Sequence, residues 1–384
     1  MPKTALRWWP LRARRRLLAI GALASISVAA AGWASAGPIG KDLAPCRVWT
    51  VVPTPVLEGA YLEAVDATAT EDVWAVGEYG GTYGIVDHWD GSSWTMTTQQ
   101  GISNSLSAVA AVSPSDVWAS GYKLDRNGYT QAFAEHWDGA SWIPTLIPHP
   151  GYDSRVLAVA ALASADVWAA GYYLDTQNVG HPLYAHWDGT GWTRVPSPSA
   201  GTLIYALAVV SSADIWALGA QPSGQQFAYA PATEHWDGAS WTPVRPARIP
   251  GGGNRQLLGG TAVASNDVWA VGYGEYSGTA IEHWDGSHWL LVKAPDRGNL
   301  QDAQALSASD VWAVGVYTYQ GIGRATSEHW DGTKWTALPT PNPGHNSILL
   351  GLTPISPTDI WAVGWNAYPG TNSFPLALHS SGIC

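Results

Sequence analysis

Two residue types recur in this chain in a pattern that could do chemistry. Seven Asp residues (Asp72, Asp116, Asp166, Asp214, Asp267, Asp310 and Asp359) each precede Val-Trp or Ile-Trp. Seven His residues (His88, His136, His186, His235, His283, His329 and His379) hold one matching place downstream, and six of them lead into Trp-Asp-Gly. Asp and His side chains together can ligate zinc or exchange protons. The spacing argues against either use. Successive copies lie 43 to 53 residues apart, so each pair belongs to its own repeat. Residues that far apart in a repeat array diverge, whereas the ligands of one zinc ion sit about 2 Å from it. The expected role is a recurring hydrogen bond that satisfies buried polar groups within a repeat. The Asp of each Asp-Gly pair (Asp90, Asp138, Asp188, Asp237, Asp285 and Asp331) is expected to fix a turn. Calcium would need several oxygen ligands in one loop. No metal and no cofactor is expected.

Other reactive types are scattered. Glycan hydrolysis would use two carboxylates roughly 5–10 Å apart. Glu78, Asp125, Asp153, Asp175, Glu275, Asp296 and Asp302 are assigned to the loops where copies differ, but none stands in a catalytic motif. Arg126, Arg155, Arg255 and Arg324 fall in different copies. No catalytic residue is assigned, and the chain is expected not to be an enzyme. The two cysteines, Cys46 and Cys384, stand near the two ends of the repeat region and are expected to form a disulfide.

The elements that position these residues follow from the repeat itself, which has seven copies. Each copy reads as four short strands. A small apolar strand such as 106–112 leads through a turn to Val117-Trp118-Ala119. A variable loop then leads to a strand ending at His136-Trp137, and Asp138-Gly139 turns into a fourth strand at Trp142. Asp-Gly suits hairpins because such turns need positive φ. Four Val-, Ile- and Trp-rich strands at this period describe a propeller blade. Helical solenoids are excluded by the absence of 3.6-residue periodicity and by 42 Gly and 26 Pro. Of 24 Trp residues, 20 hold three repeat positions, so indole packing between blades is the expected stabilising force. The predicted fold is all-β: a seven-bladed propeller of four-stranded antiparallel blades over residues 46–384.

The ends predict how the ring closes. The seventh copy reaches Leu376–His379 and stops at Cys384 without a fourth strand. Its missing strand matches Trp49-Thr50-Val51-Val52-Pro53. The N-terminal strand is therefore expected to complete the last blade, which removes exposed sheet edges.

Residues 1–36 read as an export signal, followed by a short linker over 37–45. Arg12 and Arg14–Arg16 precede an apolar stretch and Ala34-Ser35-Ala36. Arg14-Arg15-Arg16-Leu17-Leu18 is similar to a twin-arginine signal. A secreted or cell-surface protein is expected, with no membrane span once the signal is cut. Six of the 19 Lys and Arg residues lie in that segment, leaving 13 against 30 Asp and Glu, a net charge of −17. Such acidity argues against nucleic acid and acidic membrane surfaces as partners.

Function is sought where copies differ. From the repeat Gly to the repeat His the chain takes between 11 and 16 residues. These second-to-third-strand segments hold 13 of the 16 Tyr residues. Tyr79, Tyr83, Tyr129, Tyr276 and Tyr319, with Trp365 and Tyr368, are the candidate ligand-binding residues. Tyr offers a flat apolar face and a polar tip, suited to a glycan, a peptide or a protein. Tyr122, Tyr172 and Tyr273, just after the repeat Gly, are equally suited to packing between blades.

Asp-Val-Trp-Ala-Val-Gly and Asp-Gly-x-x-Trp (Asp285-Gly286-Ser287-His288-Trp289) resemble the repeats of secreted bacterial β-propellers. These are grouped with kelch and galactose-oxidase-like propellers and with Asp-box (BNR) sialidase-type propellers. Kelch blades carry a Gly-Gly pair after a strand, from which this chain departs: Gly80-Gly81 and Gly259-Gly260 are sporadic. The resemblance implies a propeller, a fold that hosts enzymes, lectins and scaffolds alike. The expectation is a monomeric, exported, non-catalytic scaffold for a glycan, peptide or protein. A glycan hydrolase and a structural cell-surface module are the alternatives.

Overall fold

A computed structural model describes residues 48–98, 104–224, 228–248, 254–274, 278–295 and 298–381. The export segment, the linker, both cysteines, Tyr276, Glu275 and Asp296 lie outside the described residues.

The described strands form seven four-stranded sheets. The first contains Ala60–Ala69, Asp72–Tyr79, Tyr83–Trp89 and Trp94–Thr98 in that spatial order, all antiparallel. Five more blades repeat this order along the chain. First strands of neighbouring blades touch one another all the way round, so they are innermost. The seventh sheet runs Asn346–Ser356, Asp359–Ala367, Ser373–Ser380 and then Trp49–Val52 from the N-terminal side. Trp49 pairs with Ser380 and Val52 with Ala377, so the ring closes as the truncated last copy predicts.

Every blade has a bulge in its first strand opposite the repeat Gly, as between Leu62 and Ala64. That Gly presses on the neighbouring strand: a Cβ on Gly77 would lie 2.0 Å from the Tyr61 carbonyl. The requirement is steric, because Gly alone lets the two backbones approach so closely.

The two ends of the wheel differ in construction. At one end, each Asp-Gly hairpin folds onto the turn between first and second strands. The Cβ of an alanine at Gly139 would meet Ser115 at 2.8 Å, and at Gly286 it would meet Asn266 at 2.8 Å. At the other end lie the variable second-to-third loops and the connections between blades. There the first strands of several blades tie themselves to the blade before. Gly84 N–H donates to Asn104 Oδ1 at 2.8 Å, and Ala132 N–H to Ser154 Oγ at 2.8 Å.

Between blades the core is largely tryptophan. The second-strand indole of one blade meets the third- and fourth-strand indoles of the next. Trp118 packs on Trp187 at 5.0 Å and on Trp192 at 5.4 Å, and Trp361 meets Trp89 and Trp94 at 5.0 and 5.3 Å. Each buried Trp removes on the order of 200 Å² from water, worth several kcal/mol at about 25 cal/mol/Å².

Candidate functional site

The repeated Asp and His residues meet within each blade and do not converge. His88 Nε2 lies 2.7 Å from Asp72 Oδ1, and the other six pairs are at 2.7–2.8 Å. The second-strand Trp stacks on the same imidazole, with Trp74 and His88 centroids 4.0 Å apart. In three blades the indole N–H also donates to that Asp, at 2.8–3.0 Å. Each His–Asp–Trp group thus fastens third strand to second strand. Among the described residues no three His, Cys, Asp or Glu side chains gather as a metal site.

The hairpin Asp residues are likewise committed to structure. Asp138 Oδ1 accepts the Ala140 and Ser141 N–H groups at 2.9 and 2.8 Å. Such bonds hold these exposed carboxyls below the usual range. Asp90, Asp188 and Asp331 are lowered to about 2, led by the hydroxyls of Ser92, Thr190 and Thr333. Asp285 is lowered to about 2, led by the His288 N–H.

The variable end is where side chains are left exposed. Tyr83, Tyr129, Tyr319 and Tyr368 are 42, 45, 58 and 48% exposed. Tyr79 is half-buried and stacks on Tyr83 with centroids 6.3 Å apart. Trp365 is half-buried at its strand end, opposite Ile348. Tyr368 packs edge-on against Phe374 at 6.2 Å. These residues occupy blades one, two, six and seven, so the sequence-assigned aromatics share an end of the wheel rather than one pocket.

One sector is more organised, at the junction of blades two and three. Tyr129 meets Tyr152 edge to face at 5.2 Å, and Tyr152 donates to Asn178 Oδ1 at 2.9 Å. Tyr152 lies on the connection between blades, a place with no repeated signature in sequence. Toward the axis, the half-buried Arg155 guanidinium lies over the Tyr122 ring at 4.3 Å. Burial, with Glu63 and Glu78 nearby, pushes the Tyr61 hydroxyl far above its ordinary value. Burial likewise raises Tyr172 to about 12.

The carboxylates assigned to this end serve the loops. Asp125 Oδ1 accepts the Asn127 and Tyr129 N–H groups at 2.8 and 2.9 Å. Asp175 does the same for Gln177 and Val179, and its Oδ2 lies 2.9 Å from His181. Asp153 accepts from Thr130 N–H at 3.1 Å, and Glu78 is buried. Asp302 is a correction: it lies midway along an innermost strand, where Oδ2 accepts the Leu352 N–H of the next blade at 3.0 Å. Of the four arginines assigned there, Arg255 is buried within Coulombic reach of Glu282.

No helix among the described residues is long and apolar enough to cross a membrane. No family model matches the chain, and no curated protein does. Solved structures do match. YCF48 bound to a D1 peptide aligns with TM-score 0.54 and 16% identity over 88% of this chain and 97% of that one. U3-55K aligns with TM-score 0.56 and 10% identity over 86% and 98%. The β-propeller domain of the Trilobed protease from Pyrococcus furiosus gives TM-score 0.52 and 9% identity over 85% and 99%. Identities this low speak to architecture and to no subfamily. By strand order, by ring closure and by likeness, the chain is a seven-bladed β-propeller.

Proposed function

We propose that this chain is an exported, non-catalytic scaffold that binds a peptide or protein partner through its variable end. The carrying observation is the exposed Tyr129–Tyr152 pair, with Tyr83, Tyr319 and Tyr368 exposed at the same end. Exposed Tyr is enriched where proteins meet partners, and loops on a rigid frame commonly carry binding. The repeated polar residues are occupied in bracing each blade internally, which leaves recognition to the parts that vary. A propeller of the same fold, YCF48, has been solved with a bound peptide. Export rests on the N-terminal sequence, and the Cys46–Cys384 disulfide on its fit to an oxidising compartment.

The test is a peptide and glycan array probed with wild type and with a Tyr129→Ala/Tyr152→Ala double variant. Loss of two exposed aromatic anchors is expected to weaken binding by 1–3 kcal/mol, about 5- to 150-fold. Equal signals from both proteins would remove the variable end from consideration, and glycan-only signals would exclude a peptide partner.

A further inference from the structure

The wheel is electrically polarised along its axis, and the polarity names the partner's chemistry. The seven repeat Asp residues, the six hairpin Asp residues and Glu71 put fourteen carboxylates at the hairpin end. Among the described residues Lys334 is the single Lys or Arg there. Bonding within their turns keeps the hairpin carboxyls ionised, and each repeat Asp has one His beside it. Of the other nine described Lys and Arg residues, Arg194 lies midway along its strand and Arg255 is buried. The remaining seven lie toward the variable end, against Glu58, Glu63, Glu78, Asp125, Asp153 and Asp175 there, while seven further carboxylates lie midway along their strands. A chain whose net charge is strongly negative thus gathers most of its described exposed cations toward one end.

Arg255 is held near Glu282 and Arg194 against Tyr173, but the exposed cations described at this end are not so engaged. His–Asp ion pairs recur among the described residues, as at His136–Asp116 and His181–Asp175. Arg126, Arg245, Arg248, Lys293 and Arg324 make no ion pair among the described residues, and Arg155 has only the Coulombic attraction of Asp153. Arg155 is the best prepared of them. It is half-buried and held over Tyr122, and no acceptor among the described residues takes its N–H donors. A guanidinium positioned by an aromatic ring loses little freedom when it grips a carboxylate with two parallel bonds.

We infer that the variable end recognises an acidic segment of a partner protein, with Arg155 as its central anchor. This rests on the reading that the variable end is the binding face, and it adds the partner's charge. A protein fits better than a small acid because the free cations and exposed tyrosines spread over several blades. That extent matches a contact of roughly 800 Å² per partner, and Tyr and Arg are the residues that dominate such contacts. The acidic hairpin end repels the same partner, so encounter is oriented with the variable end forward.

The experiment uses fluorescence anisotropy on the exported protein with four labelled probes at 50 and 300 mM NaCl. The probes are 12-residue peptides of alternating Glu/Ser, Lys/Ser and Gly/Ser, and an oligogalacturonate of similar length. The Glu/Ser peptide should bind at least tenfold more tightly than Gly/Ser, and the difference should shrink at high salt. Arg155→Glu should reduce that preference at least tenfold. Arg126→Glu/Arg245→Glu, which changes two exposed side chains, should reduce it severalfold without burdening the fold. Lys334→Glu, at the hairpin end, should leave it within twofold. Preference for the Lys/Ser peptide overturns the inference, as does equal binding of the acidic and neutral peptides. Tighter binding of oligogalacturonate replaces the protein partner with a polysaccharide and overturns it as well. Array hits that depend on Tyr129 and Tyr152 but are basic or neutral would sink the acidic chemistry while leaving the binding face standing.

Discussion

Trp49→Ala is expected to destabilise the protein more than the equivalent change in any internal blade. Truncating a buried Trp costs about 3–5 kcal/mol. Trp49 is 3% exposed, meets Trp312 edge to face at 6.0 Å, and donates its indole N–H to Ser327 Oγ at 2.9 Å. The equivalent residue of blade five, Trp289, packs on Trp216 at 5.2 Å. The difference is connectivity. Trp289 follows its partner strand through a tight hairpin, so losing the indole does not free the strand. Trp49–Val52 is held to Ala377–Ser380 by a four-residue ladder and by its side chains alone. Ser380 also stands where six blades place a third-strand Trp, so Trp49 carries more of its seam. With reductant present, so that no Cys46–Cys384 bond tethers the strand, Trp49→Ala should lower the denaturation midpoint further than Trp289→Ala. Amide exchange should rise at Ala377–Ser380 in the first variant only. Equal midpoints and unchanged exchange would mean that the seam is not the weak point of the ring.

The second large effect is a loss of stability as pH rises through neutrality. Four third strands bury a carboxyl one residue before the repeat His with a raised value. Burial pushes Asp87, Glu135 and Glu282 up to about 7, and it raises Glu234 as well. The Ala247 N–H and Arg255 partly offset the shift at Glu282. Such a group keeps its proton in the folded protein after the unfolded chain has released it. Its contribution is therefore full below the unfolded values of 3.8 and 4.5, and it is lost as pH rises through about 7. At about 1.4 kcal/mol per pKa unit, Glu135 alone accounts for on the order of 3 kcal/mol. The hairpin Asp residues act in the opposite sense. Their contribution is present above 3.8 and is lost as pH falls through about 2. Stability should peak near pH 4–5, fall toward pH 7.5 and then level off. Glu135→Gln should flatten the fall by about one proton's worth in a Tm-against-pH series. A wild-type Tm that rises between pH 5 and 7.5 would show that these carboxyls are ionised in the folded state.

The buried acids show where sequence stops being informative. In an open sheet, alternation separates a solvated face from a packed one. A blade is packed on both faces, so Glu135 and His136 look alike as polar residues while one is buried and the other half-exposed. The architecture was readable because Asp-Val-Trp, His-Trp-Asp-Gly and the truncated seventh copy each carry a steric or bonding requirement that repeats. Tyr129, Tyr319 and Tyr368 were readable as exposed because they fall in segments of changing length. Tyr152 was missed because it sits between copies, where nothing repeats. The charge polarity could not be read from composition, since it emerges only when each residue is assigned to an end of the wheel.

The central claim is that partners meet the variable end and not the hairpin end. Hydrogen–deuterium exchange of the whole protein, with and without the tightest-binding array peptide, tests it directly. The account predicts slowed exchange in the second-to-third loops and the connections between blades, centred on residues 125–130 and 149–155. Exchange at the Asp-Gly hairpins, such as 138–141 and 285–288, should not change. Protection confined to those hairpins would contradict the account.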